Sequence, residues 1–217
     1  MRKTVGLLGI AVMTLAAIWG CATTNMETFK DSKAGGKTYK TIMISGQFSD
    51  LMAAKSAENT FCEVLREQGI TCVTSLDLMP PTRKYDDQEK ANILKDNGIE
   101  AVLLISLKDA YEEQKHIPGQ SKTNCRTDYF GNIHCDTQQS PGYNASAPRM
   151  KCEFTLMDVE TNGNVWMASS FTAAHGIASS YGQIVGDFDD MMRSLAKEAL
   201  TKLSDDGLIM LAPKPQK

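Results

Sequence analysis

Two short segments of this chain repeat one pattern, and that pattern restricts the fold more than any other feature. Glu67–Val73 and Asp96–Val102 each contain the end of a helical stretch, then a glycine, an isoleucine, two further residues and a valine. The two glycines are 29 positions apart, close to the length of about 30 residues expected for one βαβ unit. Because successive crossovers are right-handed, the repeat predicts three parallel strands with helices between them.

Apolar spacing places the elements of this first half. Short strands are predicted at Thr41–Ile44, Ile70–Val73 and Ala101–Leu107. A helix begins after Ser49 and Asp50, whose side chains can cap its free N–H groups. Its inward face repeats every three or four residues and comprises Ala54, Ala57, Phe61, Val64 and Leu65. A second helix opens at Asp86 and Asp87, and Gly98 ends it.

The second half predicts antiparallel strands followed by a helix. Cys152–Val159 alternates in polarity, Asn162-Gly163 is a turn signal, and Val165–Phe171 is the returning strand. The last helix has an apolar stripe, formed by Ile184, Phe188, Met191, Met192, Leu195, Ala199 and Leu203. The predicted class is α/β with an α+β tendency. It is a single mixed sheet built from a βαβαβ start, an antiparallel hairpin and a C-terminal helix packed on the sheet.

The first 21 residues have the pattern of a secretory leader. Arg2 and Lys3 precede an apolar stretch over Val5–Trp19, and Gly20 stands directly before Cys21. The end of this stretch resembles the bacterial lipobox, which implies a signal peptide over 1–20 and attachment of diacylglycerol and palmitate to Cys21. At about 15 apolar residues the stretch is short for a membrane-spanning helix, which needs about 20.

Composition divides the rest of the chain and restricts its partners. Residues 21–38 lack an apolar period and are interpreted as a flexible tether, residues 39–211 as one α/β domain, and residues 212–217 as a disordered tail. The net charge of −3 offers no basic footprint, so no nucleic-acid partner is expected. In the lipoproteins that the lipobox resembles, an aspartate directly after the lipidated cysteine retains the protein in the inner membrane, and this chain has Ala22 there. The resemblance therefore implies a location in the outer membrane, lipid-anchored and facing the periplasm.

The cysteines predict two disulfides in an oxidising compartment. Cys62 on a helix and Cys72 on the following strand stand level on either side of Gly69, and Cys125 and Cys135 lie symmetrically about Phe130. Cys152 is left over, either as a buried free thiol or as half of an intermolecular disulfide. A metal site formed by Cys125, Cys135, His134 and His116 is disfavoured because zinc ligands usually lie closer together in sequence. No metal and no cofactor is predicted.

Catalytic motifs are absent from the sequence. There is no G-x-S-x-G, P-loop, G-x-G-x-x-G or H-E-x-x-H pattern. Gly176, Gly182 and Gly186 precede a helix, but the acids around Asp187 would repel a phosphate. His175 has no nucleophile with which to form a catalytic set, and Asp158 is interpreted as the cap of the Asn-Gly turn. The chain is therefore predicted not to be an enzyme.

The segment Leu156–Trp166, together with the lipobox and the strand-helix-strand start, resembles small bacterial envelope lipoproteins. These include the curli-secretion lipoprotein family and the lipoprotein activators of penicillin-binding proteins. The resemblance covers roughly residues 40–203, outside a polar, disulfide-closed insertion over 111–149. This insertion is either a partner-binding loop or a solvated excursion.

The resemblance implies a non-enzymatic periplasmic lipoprotein, anchored in the outer membrane, that binds another cell-envelope protein in envelope assembly or maintenance. Two alternatives remain. One is a subunit of an oligomeric outer-membrane secretion complex, and the other is a periplasmic ligand-binding or hydrolytic protein.

Overall fold

The computed structural model describes residues 22–32, 36–174 and 188–212. Several sequence predictions lie outside these ranges. They are the signal peptide over 1–20, the lipidation of Cys21, the glycine-rich loop with His175, the contribution of Ile184 to the last helix, and all of the tail except Ala212.

One six-stranded mixed sheet organises the described residues, and it confirms the predicted fold class. The order of its strands is β1-β8-β7-β4-β2-β3, and β5 and β6 form a separate two-stranded sheet. The strands are β1 Ala22–Lys30, β2 Thr41–Gln47, β3 Thr71–Thr74, β4 Ala101–Ile117, β5 Gln120–Thr127, β6 Ile133–Ser140, β7 Tyr143–Asp158 and β8 Gly163–Ala174. The helices are α1 Leu51–Glu67, α2 Ser75–Leu78, α3 Asp87–Asp96 and α4 Phe188–Asp205.

The repeat in the sequence produces the parallel part of the sheet. Ile42 of β2 lies opposite Cys72 of β3 on one side and opposite Ala101 of β4 on the other, and both pairings are parallel. Asp50 caps α1 by accepting from the N–H groups of Met52 and Ala53, as its position predicts. Gly69 and Gly98 both have a positive φ, at 80° and 64°, and so end their helices in the conformation that favours glycine.

The two faces of the sheet are covered unequally. Side chains alternate along a strand, so Ile42 and Ile44 point into the main core, which also holds buried residues of α1 and α4. Met43 and Val102 point to the opposite face, where Leu94 of α3 covers them. Toward β7, β8 and β1, none of the described helices covers this second face.

The predicted tether over 21–38 is the first correction. Ala22–Lys30 forms β1, an edge strand that pairs antiparallel with β8 along its whole length. Met26 is buried, and Thr24 shares hydrogen bonds with Thr172 and Ser194. An edge strand needs backbone pairing and few inward apolar side chains, so a polar composition does not exclude it.

The polar segment 111–149 also differs from the expected insertion. Strands β4 and β7 continue through it as one ladder to the pair Ile117 and Tyr143. They are therefore much longer than the predicted strands at 101–107 and 152–159. Beyond this pair, β5 and β6 form the hairpin expected around Phe130, with Cys125 opposite Cys135. Backbone hydrogen bonds hold these strands regardless of side-chain polarity, which is why hydrophobic periodicity did not reveal them.

A double Pro-Gly break separates the two parts of this hairpin. Pro118-Gly119 follows β4, and Pro141-Gly142 precedes β7 at the same level. Proline has no N–H to donate, so the ladder stops on both strands. The backbones then approach closely, and a Cβ on Gly119 would collide with the carbonyl oxygen of Ser140. We call residues 120–140, beyond this break, the hairpin arm.

Candidate interaction surface

An apolar row crosses the uncovered face of the main sheet. Leu104 of β4 is the register partner of Thr155 in β7, Thr155 is the partner of Met167 in β8, and Met167 is the partner of Phe29 in β1. Phe29 is 73% exposed and Met167 is 49% exposed. Four neighbouring strands therefore present a continuous band of side chains to solvent, which we call the open face.

A groove lies at the end of the open face next to α3. Its volume is about 740 Å³. The floor and walls are mainly apolar and include Met43, Met79, Leu94, Val102, Leu104 and Met157. Charged side chains of both signs stand at its edge, among them Asp87, Lys90, Lys95 and Glu160. The groove combines an apolar interior with a polar rim, which is the usual arrangement of an interaction site.

Methionine gives this groove an adaptable lining. Met43 comes from β2, Met79 from the connection after α2, and Met157 from β7. Methionine has three rotatable bonds and a polarizable thioether, so it fits apolar partners of varied shape. No sequence pattern predicts this surface, because its residues come from five elements, β2, α2, α3, β4 and β7, and from the connections beside them, and share no motif.

A polar cluster around the buried carboxylate of Asp158 holds the β7–β8 turn, which forms one wall of the groove. The carboxylate of Asp158 accepts from the backbone N–H of Thr161 at 2.8 Å and from the hydroxyl of Tyr39 at 2.8 Å. Lys37 Nζ lies 2.6 Å from Asp158 Oδ2 and 2.8 Å from Glu160 Oε2. The prediction that Asp158 caps this turn is confirmed.

These contacts shift the pKa values of the cluster. Burial alone would raise the pKa of Asp158, but hydrogen bonds from Lys37, Thr161 and Tyr39 outweigh it and hold the pKa well below its usual range. The pKa of Lys37 is raised by its hydrogen bonds to Asp158 and Glu160. Burial, with the bond to Asp158, raises the pKa of Tyr39. Asp158 therefore stays ionised and Tyr39 stays protonated, so the cluster acts as a structural clamp.

Glu58 of α1 holds a second wall of the groove. Its fully buried carboxylate accepts from Gly46 N at 2.9 Å, Ser75 Oγ at 2.6 Å and Leu76 N at 3.0 Å. It thereby ties the end of β2 to the start of α2, where Ser75 lines the groove. The sequence alone indicates that Glu58 is buried, because it lies four residues after Ala54 and three before Phe61, on the inward face of α1.

The five cysteines that follow Cys21 form two disulfides and leave one free thiol. Cys62 and Cys72 form a disulfide with a Cα–Cα distance of 5.2 Å, and Cys125 and Cys135 form another with a distance of 4.0 Å. Cys152 is buried with a free thiol, and burial raises its pKa to about 12. Neither disulfide contacts the groove directly. The Cys62–Cys72 bond joins α1 to β3 behind it.

The histidines considered as metal ligands have other partners. Nδ1 of His116 lies 2.9 Å from Asn144 Oδ1, and Nε2 of His134 lies 3.2 Å from Asp128 Oδ2. Within residues 22–32, 36–174 and 188–212, no group of three or more His, Cys, Asp or Glu side chains could hold a metal ion. Across the same ranges, every helix is too short or too polar to cross a membrane.

Comparisons with known proteins give matches in structure only. No protein-family model matches the chain, and no curated protein matches its sequence. The PelC dodecamer from Paraburkholderia phytofirmans, in two crystal forms, is similar at 14% identity with TM-scores of 0.46 and 0.47. These alignments cover 82% and 83% of this chain and 98% and 97% of that chain. Lipoprotein GNA1162 from Neisseria meningitidis is similar at 11% identity, with a TM-score of 0.39 and coverages of 76% and 98%.

Proposed function

We propose that this chain is a non-catalytic, lipid-anchored protein of the bacterial cell envelope that binds another envelope protein through the groove. The observation that carries the proposal is the large apolar groove at the end of an uncovered sheet face. Contiguous apolar surface of this kind is uncommon on a protein without a partner. The adaptable methionines suit an apolar segment of a partner, and the charged residues at the edge would fix the position of that segment along the groove.

The position of the groove suits a partner on the side away from the anchor. Strand β1 begins at Ala22, directly after the proposed lipidation site, and Ala22 pairs with Ala174 at one end of β8. The groove lies beside Val159 and Asn162, at the other end of β8. Gly163 and Ala174 are eleven positions apart in β8, about 36 Å at 3.3 Å per residue. A membrane at Ala22 leaves the groove open to the periplasm.

The side chains around the groove favour binding over hydrolysis. Ser75 lines the groove and contacts a carboxylate, but its hydroxyl donates to the structural Glu58. The described histidines, His116 and His134, lie in β4 and β6 away from the groove. Among the described residues that line the groove, no histidine is present to act as the base for a serine nucleophile.

The test is chemical crosslinking in intact cells, followed by purification and mass spectrometry. We expect one abundant envelope protein to crosslink to the wild type and not to Met157→Glu, which places a charge in the groove. Met52→Glu is the matched control, because Met52 is 72% exposed on α1 outside the groove. Both variants are first checked for unchanged melting temperature, and Met79→Glu replaces Met157→Glu if that variant unfolds. Equal crosslinking by all variants would refute the groove as the binding site.

Two further variants separate the alternatives. A chain with Cys21→Ser should lose the partner if the lipid brings the two together. Deletion of residues 119–140 removes the hairpin arm and leaves all six strands of the main sheet, so binding should persist. Loss of binding in the deletion would place recognition on the arm. A ladder of self-crosslinks without another protein would instead indicate the oligomeric secretion subunit, and a melting temperature raised by an envelope metabolite would indicate ligand binding.

A further inference from the structure

The proposed lipid and the hairpin arm belong to the same end of the main sheet. Cys21, the proposed lipidation site, directly precedes Ala22, the first residue of β1, in the sequence. Ala22 is fixed at this end by pairing with Ala174, and its carbonyl accepts from the Ser194 hydroxyl at 3.0 Å. The residue next to Ala174, Ala173, pairs with Arg149 of β7, and from there β4 and β7 continue away from the core. Because β1 replaces the expected tether, a membrane that holds Cys21 lies against this end of the domain.

The arm is too polar to continue into that membrane. Beyond the level of Arg149, β4 and β7 extend by six pairs and the arm by eight more, together about 45 Å at 3.3 Å per residue. Every residue of β5 and β6 is exposed, and they include Lys122, Arg126 and Asp136. Charged side chains and open strand edges are excluded from hydrocarbon. Because β4 carries charged side chains in the six pairs with β7 before the double Pro-Gly break, the whole extension, and not the arm alone, has to lie along the surface.

The tip of the arm has the chemistry of the membrane interface. Tyr129, Phe130 and Ile133 are 98%, 86% and 70% exposed, and the two aromatic rings contact edge to face with centroids 5.9 Å apart. Asp128 fixes the turn by accepting from the N–H groups of Phe130 and Asn132, while the Cys125–Cys135 disulfide closes the strands just below it. A rigid loop thus presents apolar rings that solvent does not favour, and aromatic rings concentrate at membrane interfaces.

The charge of the arm fits a lipid surface better than a charged protein. Residues 120–140 contain two basic residues, Lys122 and Arg126, and two acidic residues, Asp128 and Asp136. The sum is zero, so anionic headgroups neither repel the arm nor hold it by charge alone. Steering by a charged protein partner would need an excess of one sign. The aromatic tip is therefore the part that determines where the arm rests.

We infer that the hairpin arm lies along the membrane that carries the Cys21 lipid, and that Tyr129, Phe130 and Ile133 insert into its interfacial layer. This second contact would fix how the domain stands on the membrane, since one lipidated residue alone leaves the domain free to rotate. The inference rests on the lipid anchor of the proposed function. It concerns a different surface from the groove.

The test uses the full mature lipidated protein in vesicles of phosphatidylethanolamine and phosphatidylglycerol with brominated acyl chains, which quench nearby tryptophan. Phe130→Trp places the probe at the tip. Phe29→Trp is the matched control, an equally conservative change at an exposed phenylalanine near the far end of β1. Trp166 is buried and gives the background, measured in the protein with no added tryptophan. We expect Phe130→Trp emission to fall at least twofold relative to unbrominated vesicles, and Phe29→Trp to match the background.

Flotation of the same samples separates the two possible failures. If the protein floats with the vesicles but Phe130→Trp is quenched no more than Phe29→Trp, the anchor stands and the tip inference is overturned. If the protein does not float, the lipid anchor of the proposed function fails, and the membrane contact of the arm fails with it. Tip quenching in floating protein supports both.

Discussion

The buried carboxylate of Asp158 is the residue on which the β7–β8 turn depends, and its removal has a predictable pH signature. Asp158→Asn keeps an acceptor for Thr161 but loses the charge that binds Lys37. We expect the free energy of unfolding at pH 7 to fall by about 1–3 kcal/mol, the range for a buried bond to a charged group. The measurement is urea unfolding followed by Trp166 fluorescence at pH 7, 4 and 2.

The direction of this pH dependence follows from the lowered pKa of Asp158 in the folded state. Its contribution is fully present above the unfolded pKa of about 3.9 and is lost as pH falls toward the folded pKa. The difference in unfolding free energy between the wild type and Asp158→Asn should therefore become smaller from pH 7 to pH 2. Glu160→Gln is the control, because Glu160 is exposed and its ion pair should contribute less than about 1 kcal/mol. A gap that stays constant with pH would contradict the role given to Asp158.

At the residue scale, the sequence revealed those interactions that are local along the chain. Asp158 lies three residues before Thr161, so its capping role was predictable from the Asn-Gly turn. Its other partner, Tyr39, is 119 residues away, and no spacing rule connects them. Glu58 falls between these cases, since its place on the inward stripe marks it as a buried acid but does not identify its donors on β2 and α2.

The two disulfides have the same sequence separation of 10 residues but join very different elements. Loop-closure entropy gives each about 3 kcal/mol. Cys62–Cys72 ties α1 to β3 within the core, so replacing both by alanine should lower the unfolding free energy of the domain by about that amount. Cys125–Cys135 joins two strands that form their own sheet. Replacing both cysteines by serine should therefore change the unfolding free energy of the domain by less than about 0.5 kcal/mol.

Urea unfolding followed by Trp166 fluorescence again provides the measurement, because this tryptophan lies in β8 and reports on the main sheet. Hydrogen exchange of residues 120–140 completes the comparison, since loss of the Cys125–Cys135 bond should speed exchange there alone. Equal destabilisation by the two double substitutions would mean that the hairpin arm unfolds together with the domain.

At the element scale, the sequence predicted elements that bury a periodic face and missed those held by backbone pairing. The parallel strands, α1 and the symmetric hairpin followed from apolar spacing, glycine positions and cysteine symmetry. Strand β1 and the outer halves of β4 and β7 are polar, and their ladder hydrogen bonds leave no side-chain period to detect. The groove was missed for a related reason, since it arises from packing between elements.

At the scale of the whole molecule, strand directions place the proposed membrane contact and the proposed binding groove at opposite ends of the main sheet. Ala22 and the start of the hairpin extension lie at one end of the main sheet, and the β7–β8 turn and groove lie at the other. Fold class was predictable because it depends on the order of elements. This polarity was not, because it depends on β1 being a strand: with a flexible tether, neither end of the sheet would have a defined relation to a membrane.

A direct test of whether β1 is part of the folded domain therefore also tests this polarity. A chain beginning at Gly36 lacks β1, so it exposes the edge of β8 and the core beside Met26, and its melting temperature should fall clearly below that of a chain beginning at Ala22. Removal of a true tether would leave it unchanged. Point variants sharpen the comparison: Met26→Ala should lower the unfolding free energy by about 2 kcal/mol, whereas its exposed neighbour Glu27→Ala should change it by less than about 0.5 kcal/mol. Thermal and urea unfolding by circular dichroism measure both. If Met26→Ala behaved like Glu27→Ala, β1 would not be part of the folded domain, and the proposal that one end of the sheet faces a membrane would lose its basis.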